Sequence, residues 1–292
     1  MPLVISESPV TQISLDEFFD TFRAANVKAG DDASLLSHAS LLARLYPNRK
    51  FLADVLISRL EAMWGEDYRA TATSQTVNLG DLGNGHYLRM VFWPSRTDEF
   101  FERCDSSVFY YGRPHDHNFS FLTLGYDGPG YDSDYYVIDE DTSNWHPGSP
   151  AALESTGRKR LNPGEIMFYQ RHVDVHSQLP PDENSISINI MGVATRGTGG
   201  HQFIFDEDCK SVQHIMQNQF NPIIFDMAAA LDSEQTERLA TEIAIAVDND
   251  YVRFYAERFL LKRKIQRDGI PTSRGSKPNN TWINSYLRKA TS

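Results

Sequence analysis

Between about Thr71 and Asp208 the chain breaks into short runs rich in aromatic and β-branched residues, each closed by Gly, Pro, Asn or Asp. No other feature restricts the fold as much, because such runs pair as strands and their punctuation supplies turns. Ser185-Ile-Ser-Ile-Asn-Ile190 alternates strictly. As a strand it places Ile186, Ile188 and Ile190 on one face and Ser185, Ser187 and Asn189 on the other. Strand character recurs at 75–79, 86–93, 107–111, 119–126, 134–138, 165–170, 175–179, 185–193 and 202–205. Many short strands at this spacing predict an antiparallel barrel or jelly roll.

Helical periodicity flanks this region. Ser14-Leu-Asp-Glu17 has the spacing of a capping box and opens an amphipathic run through Phe18, Phe19 and Phe22. Helical patterns follow at 33–46 and 50–64, and again after Lys210 at 211–219, 234–247 and 250–267, with Asn221-Pro222 breaking the first of these three. The expected organisation is an N-terminal helical region (1–70), a mainly β barrel (71–208) and a C-terminal helical region with a basic tail (209–292).

A chain of 292 residues with 40% hydrophobic composition can bury a proper core. Its start, Met-Pro-Leu-Val-Ile-Ser-Glu-Ser-Pro, has neither a basic n-region nor an apolar h-region, so a cytoplasmic protein without membrane partners is expected. Cys104 and Cys209 are far apart and outside any CxxC arrangement, which argues against a disulfide framework or a thiolate zinc site. A net charge of −11 argues against nucleic acid as the partner. The charge is uneven, however: residues 251–292 hold ten Lys or Arg against two acids, a net +8, leaving −19 for the rest. That split predicts a basic segment docked on the acidic body or on a sister subunit.

The chemistry concentrates in Arg-Pro-His-Asp-His-Asn-Phe, where His115 and His117 occupy alternate positions. If 118–126 is a strand entered by this pair, both imidazoles point to one face and Asp116 to the other. A third imidazole, His176 or His172, would complete three corners of a divalent metal site and leave open positions for ligands. The two cannot both reach one ion from a straight strand, in which four residues span about 13 Å. Asp174 can orient a ligand or sit in a solvated turn. His172-Val-Asp174 also opens a two-histidine, one-carboxylate pattern, but completing it with His201 or His214 leaves His115 and His117 idle. Arg113, in phase with the histidine pair, and Arg89, on the face of Tyr87, Val91 and Trp93, are candidates for binding a substrate carboxylate. Tyr111 and Tyr169 are the candidate catalytic pocket residues among several tyrosines.

These residues resemble the cupin superfamily of small double-stranded β-helix barrels. Gly112, His115, His117 and Gly125 match its first motif; Pro163-Gly164, the run Glu165-Ile-Met-Phe-Tyr-Gln170 and His176 match its second with one extra residue. The match covers about residues 72–208 and implies His115, His117 and His176 as the metal ligands. Where the family usually carries a glutamate ligand, this chain has Phe121 or Leu122. Three neutral imidazoles leave the metal's charge uncompensated, which favours anionic or chelating substrates. A three-histidine set looks most like the thiol dioxygenase branch, whose members hold Fe(II) and add both atoms of O₂ to a substrate sulfur. The helical flanks do not resemble that branch, so its substrate class is not carried over. The resemblance implies a non-haem Fe(II) dioxygenase using a small molecule and O₂, although Mn, Ni, Zn or Co suit the same ligands. Two other outcomes are a metal-dependent lyase or isomerase working without O₂ and a non-enzymatic cupin that senses a ligand. A homodimer is expected, because cupin sheets often pair.

Overall fold

A computed structural model describes residues 1–5, 11–64, 75–104, 108–142, 145, 147–193, 201–216, 227–228, 234–246 and 250–268. The elements in chain order are β1 (Leu3–Ile5), α1 (Leu15–Ala25), α2 (Asp32–Ser37), α3 (Ala39–Ala43), α4 (Arg49–Trp64), β2 (Thr76–Gly83), β3 (His86–Trp93), α5 (Glu99–Arg103), β4 (Phe121–Asp127), β5 (Tyr131–Val137), β6 (Glu154–Leu161), β7 (Ile166–Tyr169), β8 (Asp174–Gln178), β9 (Ser185–Met191), β10 (Gln202–Phe205), β11 (Val212–Met216), α6 (Glu234–Ala246) and α7 (Asp250–Asp268).

The fold is mainly β with antiparallel sheets and flanking helices. One sheet has six strands in the order β1-β7-β4-β9-β3-β2. A second layer consists of the three-stranded ladder β6-β5-β8 and the hairpin β10-β11. A short segment joins these two pieces: His115 bridges His176 of β8 on one side and Ile204 of β10 on the other.

Alternation decides which face of the large sheet meets what. Leu88, Met90, Leu122, Leu124, Ile166, Phe168, Ile188 and Ile190 pack with Phe18, Phe22, Leu35 and Leu42 of the N-terminal helices. The opposite face packs Val91, Trp93, Phe121, Met167, Tyr169 and Met191 against Tyr131, Tyr135 and Leu161 of the second layer. That inner face also carries polar groups, and they pair with one another. Trp93 Nε1 donates to the Ser187 hydroxyl (3.0 Å), and Thr123 Oγ1 donates to Asn189 Oδ1 (2.6 Å).

The capping box forms, with Ser14 Oγ accepting from the Glu17 N–H at 3.2 Å. Gly125 also has a mechanical reason. A Cβ there would lie 2.2 Å from the Asn162 carbonyl oxygen, because the Pro163-Gly164 turn crosses β4 and the Gly164 N–H donates to the Gly125 carbonyl at 2.7 Å.

Several expectations are corrected. The barrel implied by the resemblance is not closed: the large sheet ends at β1 and β2, and β6 is the outer strand of the second layer. Two of these edges, β2 and β6, carry features that resist further pairing. In β2, Asn78 and Asp81 turn their side chains onto the N–H groups of Gly80 and Gly83 (3.0 Å each) at register shifts. In β6, Arg158 and Arg160 pair across the ladder with Asp134 and Asp132, each at 2.7 Å at closest.

The helix expected at 211–219 is strand β11 through Met216, with 217–219 outside the described residues. Val212, Ile215 and Met216 fit a helical stripe, but the turn at Asp206 sets a hairpin instead. Its carboxylate accepts from the Lys210 N–H (2.7 Å) and the Ser211 hydroxyl (2.6 Å), and Cys209 adopts φ +55°. The expected strand at 107–111 lies partly outside the described residues, and its described part makes the single bridge Tyr111–Gln178. The expected helix over 33–46 divides at His38 into α2 and α3. Helices α6 and α7 pack on each other through Ala240, Ala256 and Phe259. Most of the basic tail, 269–292, lies outside the described residues. No described helix is long and apolar enough to cross a membrane.

Candidate metal centre

The histidine pair sits in the second layer rather than at the entrance of the strand that follows it; β4 begins only at Phe121, in the large sheet. His115 exchanges both backbone hydrogen bonds with His176 (3.0 Å each), a directly opposed antiparallel pair whose side chains share a face. Asp116 N–H donates to Phe203 O (3.2 Å) and Phe205 N–H to Pro114 O (2.9 Å), fixing the other side of the segment. Period two then brings His117 to the same interior face, and Asp116 turns away. The Asp116 carboxylate is fully buried, accepts from the Phe203 N–H at 2.5 Å and stands 3.6 Å from His172 Nδ1.

The structure therefore brings together His115, His117 and His176, and their candidate ligand atoms all lie within 4.8 Å of one another. His172, at φ +55° in the turn before β8, faces Asp116 on the far side of the segment. His176 Nε2 lies 3.1 Å from His115 Nε2 and 3.2 Å from His117 Nε2. Two ligand atoms at right angles on an ion with bonds of about 2.1 Å would be about 3 Å apart, and these separations match that spacing.

The His115 tautomer agrees with that role. His115 Nδ1 donates to the Arg113 carbonyl at 2.8 Å, leaving Nε2 with a bare lone pair. His117 Nδ1 lies 3.4 Å from the Gln202 side-chain amide. Burial pushes the His115 imidazole down to about 4, and desolvation, reinforced by the neighbouring imidazoles and Arg89, holds His117 well below the usual range. His176 is lowered likewise by burial, then by His115 and Arg89. All three are neutral near pH 7, the state a metal requires.

Aromatic rings wall the site. Phe121 points inward, 4.8 Å from the His117 ring and stacked on Tyr169 at 4.4 Å, whereas Leu122 faces the helices. A phenyl ring therefore faces the histidines from this position of β4. Tyr169 lies 4.8 Å from the His176 ring, but its hydroxyl pairs with that of Tyr135 (2.8 Å). Tyr111 is half-buried and donates to the Pro94 carbonyl at 2.9 Å. Burial raises both phenols above their ordinary range. Arg89 is partly buried with its Nε sealed from solvent and without a hydrogen bond; its charge is felt by all three imidazoles. Arg113 is exposed and meets the site through its carbonyl.

Two glutamines escaped the sequence reading. Gln202 approaches His117 from β10, and Gln178 approaches His176 from two residues further along β8. The spacing His176-x-Gln178 carried the second signal, since alternate residues of a strand share a face.

No family model matches the chain, and no curated protein matches it in sequence. Among solved structures it is weakly similar to hydroquinone 1,2-dioxygenase PnpCD in complex with Cd2+ and 4-hydroxybenzonitrile, at 8% identity over 42% of this chain and 67% of that one, TM-score 0.28. The hydroquinone 1,2-dioxygenase of Sphingomonas sp. TTNP3 with 4-hydroxybenzoate bound is 11% identical over 43% of this chain and 71% of that one, TM-score 0.27. The DMSP lyases RdDddP and RnDddQII give 11% identity over 67% of this chain and 80% of that one, TM-score 0.26. Overlaps this slight decide nothing about activity.

Proposed function

We propose that the chain is a cupin-type, metal-dependent oxygenase that holds ferrous iron on His115, His117 and His176 and acts on a small anionic or chelating molecule. One observation carries this reading: three neutral imidazoles converge through Nε2 atoms separated by 3.1 and 3.2 Å, and no acidic side chain joins the group among the described residues. Imidazole ligation suits ferrous iron, which when bound supplies open positions where an organic ligand and O₂ meet.

The surrounding residues suit the remaining tasks. A neutral ligand set leaves the ion's double charge to be met by the substrate. Arg89 adds a partly buried guanidinium that pairs with a substrate carboxylate or comparable anion. Phe119, Phe121 and Tyr169 exclude water from the imidazoles. The hydroxyls of Tyr111 and Tyr169 are engaged with Pro94 and Tyr135, so both residues act as pocket walls in the resting site.

The test is oxygen uptake by protein loaded anaerobically with Fe(II), using a panel of small thiol carboxylates, phenolic carboxylates and dicarboxylates. Uptake stoichiometric with product, abolished by His115→Ala and requiring at least tenfold more substrate in Arg89→Met, is the expected result. Turnover of a panel member without oxygen consumption would assign the site to a lyase or isomerase instead.

A further inference from the structure

Gln178 is the last residue of β8, and its backbone is anchored where the Gly112 N–H donates to its carbonyl at 2.9 Å. Its side chain is 7% exposed and lies on the metal-facing side of the strand with that of His176. The amide nitrogen is placed 3.1 Å from His176 Nε2, and the amide oxygen is buried without a hydrogen-bond partner. In that placement the amide donates to the lone pair that a metal needs, while an orphaned carbonyl costs about 1–3 kcal/mol. The two ends of an amide are assigned from their surroundings, and turning this one puts Oε1 at the 3.1 Å position. That separation equals the 3.1 Å edge between His176 and His115.

We propose that Gln178 is a fourth protein ligand, its Oε1 occupying a coordination position beside His176. This rests on the three-histidine metal reading above. A carbonyl oxygen is a competent ligand for divalent first-row ions, yet it adds no charge. Gln178 therefore fills a position in the resting site and gives it up to a chelating anion, which binds the ion more strongly than a neutral amide does. The substrate class that follows is a bidentate anion able to displace an amide.

Cobalt(II) affinity of the full chain, measured by competition with a chromophoric chelator, tests this without turnover. Gln178→Leu should weaken binding at least tenfold relative to the native chain. Gln178→Glu should bind more tightly than the native chain, because it adds a charge at the same reach. Leucine binding within twofold of native overturns the proposal. If the leucine variant does not fold, the glutamate variant decides, and affinity no higher than native overturns it. His115→Ala separates the two readings. Cobalt bound by the native chain but not by His115→Ala keeps the histidine centre whatever Gln178 does; no cobalt in the native chain removes both.

Discussion

Acidification of the metal-free protein probes the packed imidazole cluster directly. An unfolded histidine titrates near 6.5, whereas burial takes His115 down to about 4. Between these values the unfolded chain binds a proton that the native state refuses, so stability falls as pH falls and is flat above about 6.5. For His115, 5% exposed, the full gap corresponds to about 3 kcal/mol by pH 4, at 1.36 kcal/mol per unit. His117 and His176 are shifted in the same direction and add to it. Against a typical domain stability of roughly 5–15 kcal/mol, a loss of this size is a large fraction of what holds the native state. Asp116 and Asp174 oppose the trend. Burial raises both carboxyls, so the native state takes up their protons first and gains stability as pH falls. Urea unfolding followed by tryptophan fluorescence at pH 7.5, 6.5, 5.5 and 4.5 reads the sum, and His115→Gln isolates one imidazole. The variant's slope in the acid range should be shallower by about 1.4 kcal/mol per pH unit. Equal slopes for native and variant chains would refute the packed, neutral cluster.

Three further outcomes follow from local geometry. Gly125→Ala places a Cβ 2.2 Å from the Asn162 carbonyl, a backbone atom that cannot swing aside, and should cost at least about 2 kcal/mol in urea unfolding. Asp116→Ala orphans the buried Phe203 N–H and frees the far side of the histidine segment; a loss of about 1–3 kcal/mol and weaker metal retention by chelator challenge are expected. Ser14→Ala removes the acceptor for the Glu17 N–H and should lower stability by about 1 kcal/mol with metal affinity unchanged.

The sequence was most legible where one physical constraint acted alone. Strict alternation in β9 is set by a helix-covered face and a face turned to the second layer, so the placement of Ile188 and Ile190 is legible from the pattern alone. The inward placement of Arg89 with Val91 and Trp93 follows from the same periodicity in β3. Strand β6 stayed hidden because its pairing rests on arginine–aspartate contacts across an exposed edge rather than on apolar alternation. Strand β11 was misread because its apolar spacing suits a helix equally well and only the hairpin turn at Asp206 decides. At the site, residue spacing picked out the His115 and His117 pair but left His172 and His176 open as the third and did not give their layer, since His115 takes both its neighbours from strands distant in sequence. Gln178 required knowing that β8 presents His176 inward and that an orphaned carbonyl lies beside it.

X-ray absorption on the Fe(II)-loaded protein tests the central claim most directly. Three imidazole nitrogens at roughly 2.1–2.2 Å, with metal retention lost in the His115→Ala/His117→Ala double variant, are the predicted result. Undiminished metal content in that variant, or a spectrum lacking imidazole scattering, would contradict a centre built on His115, His117 and His176.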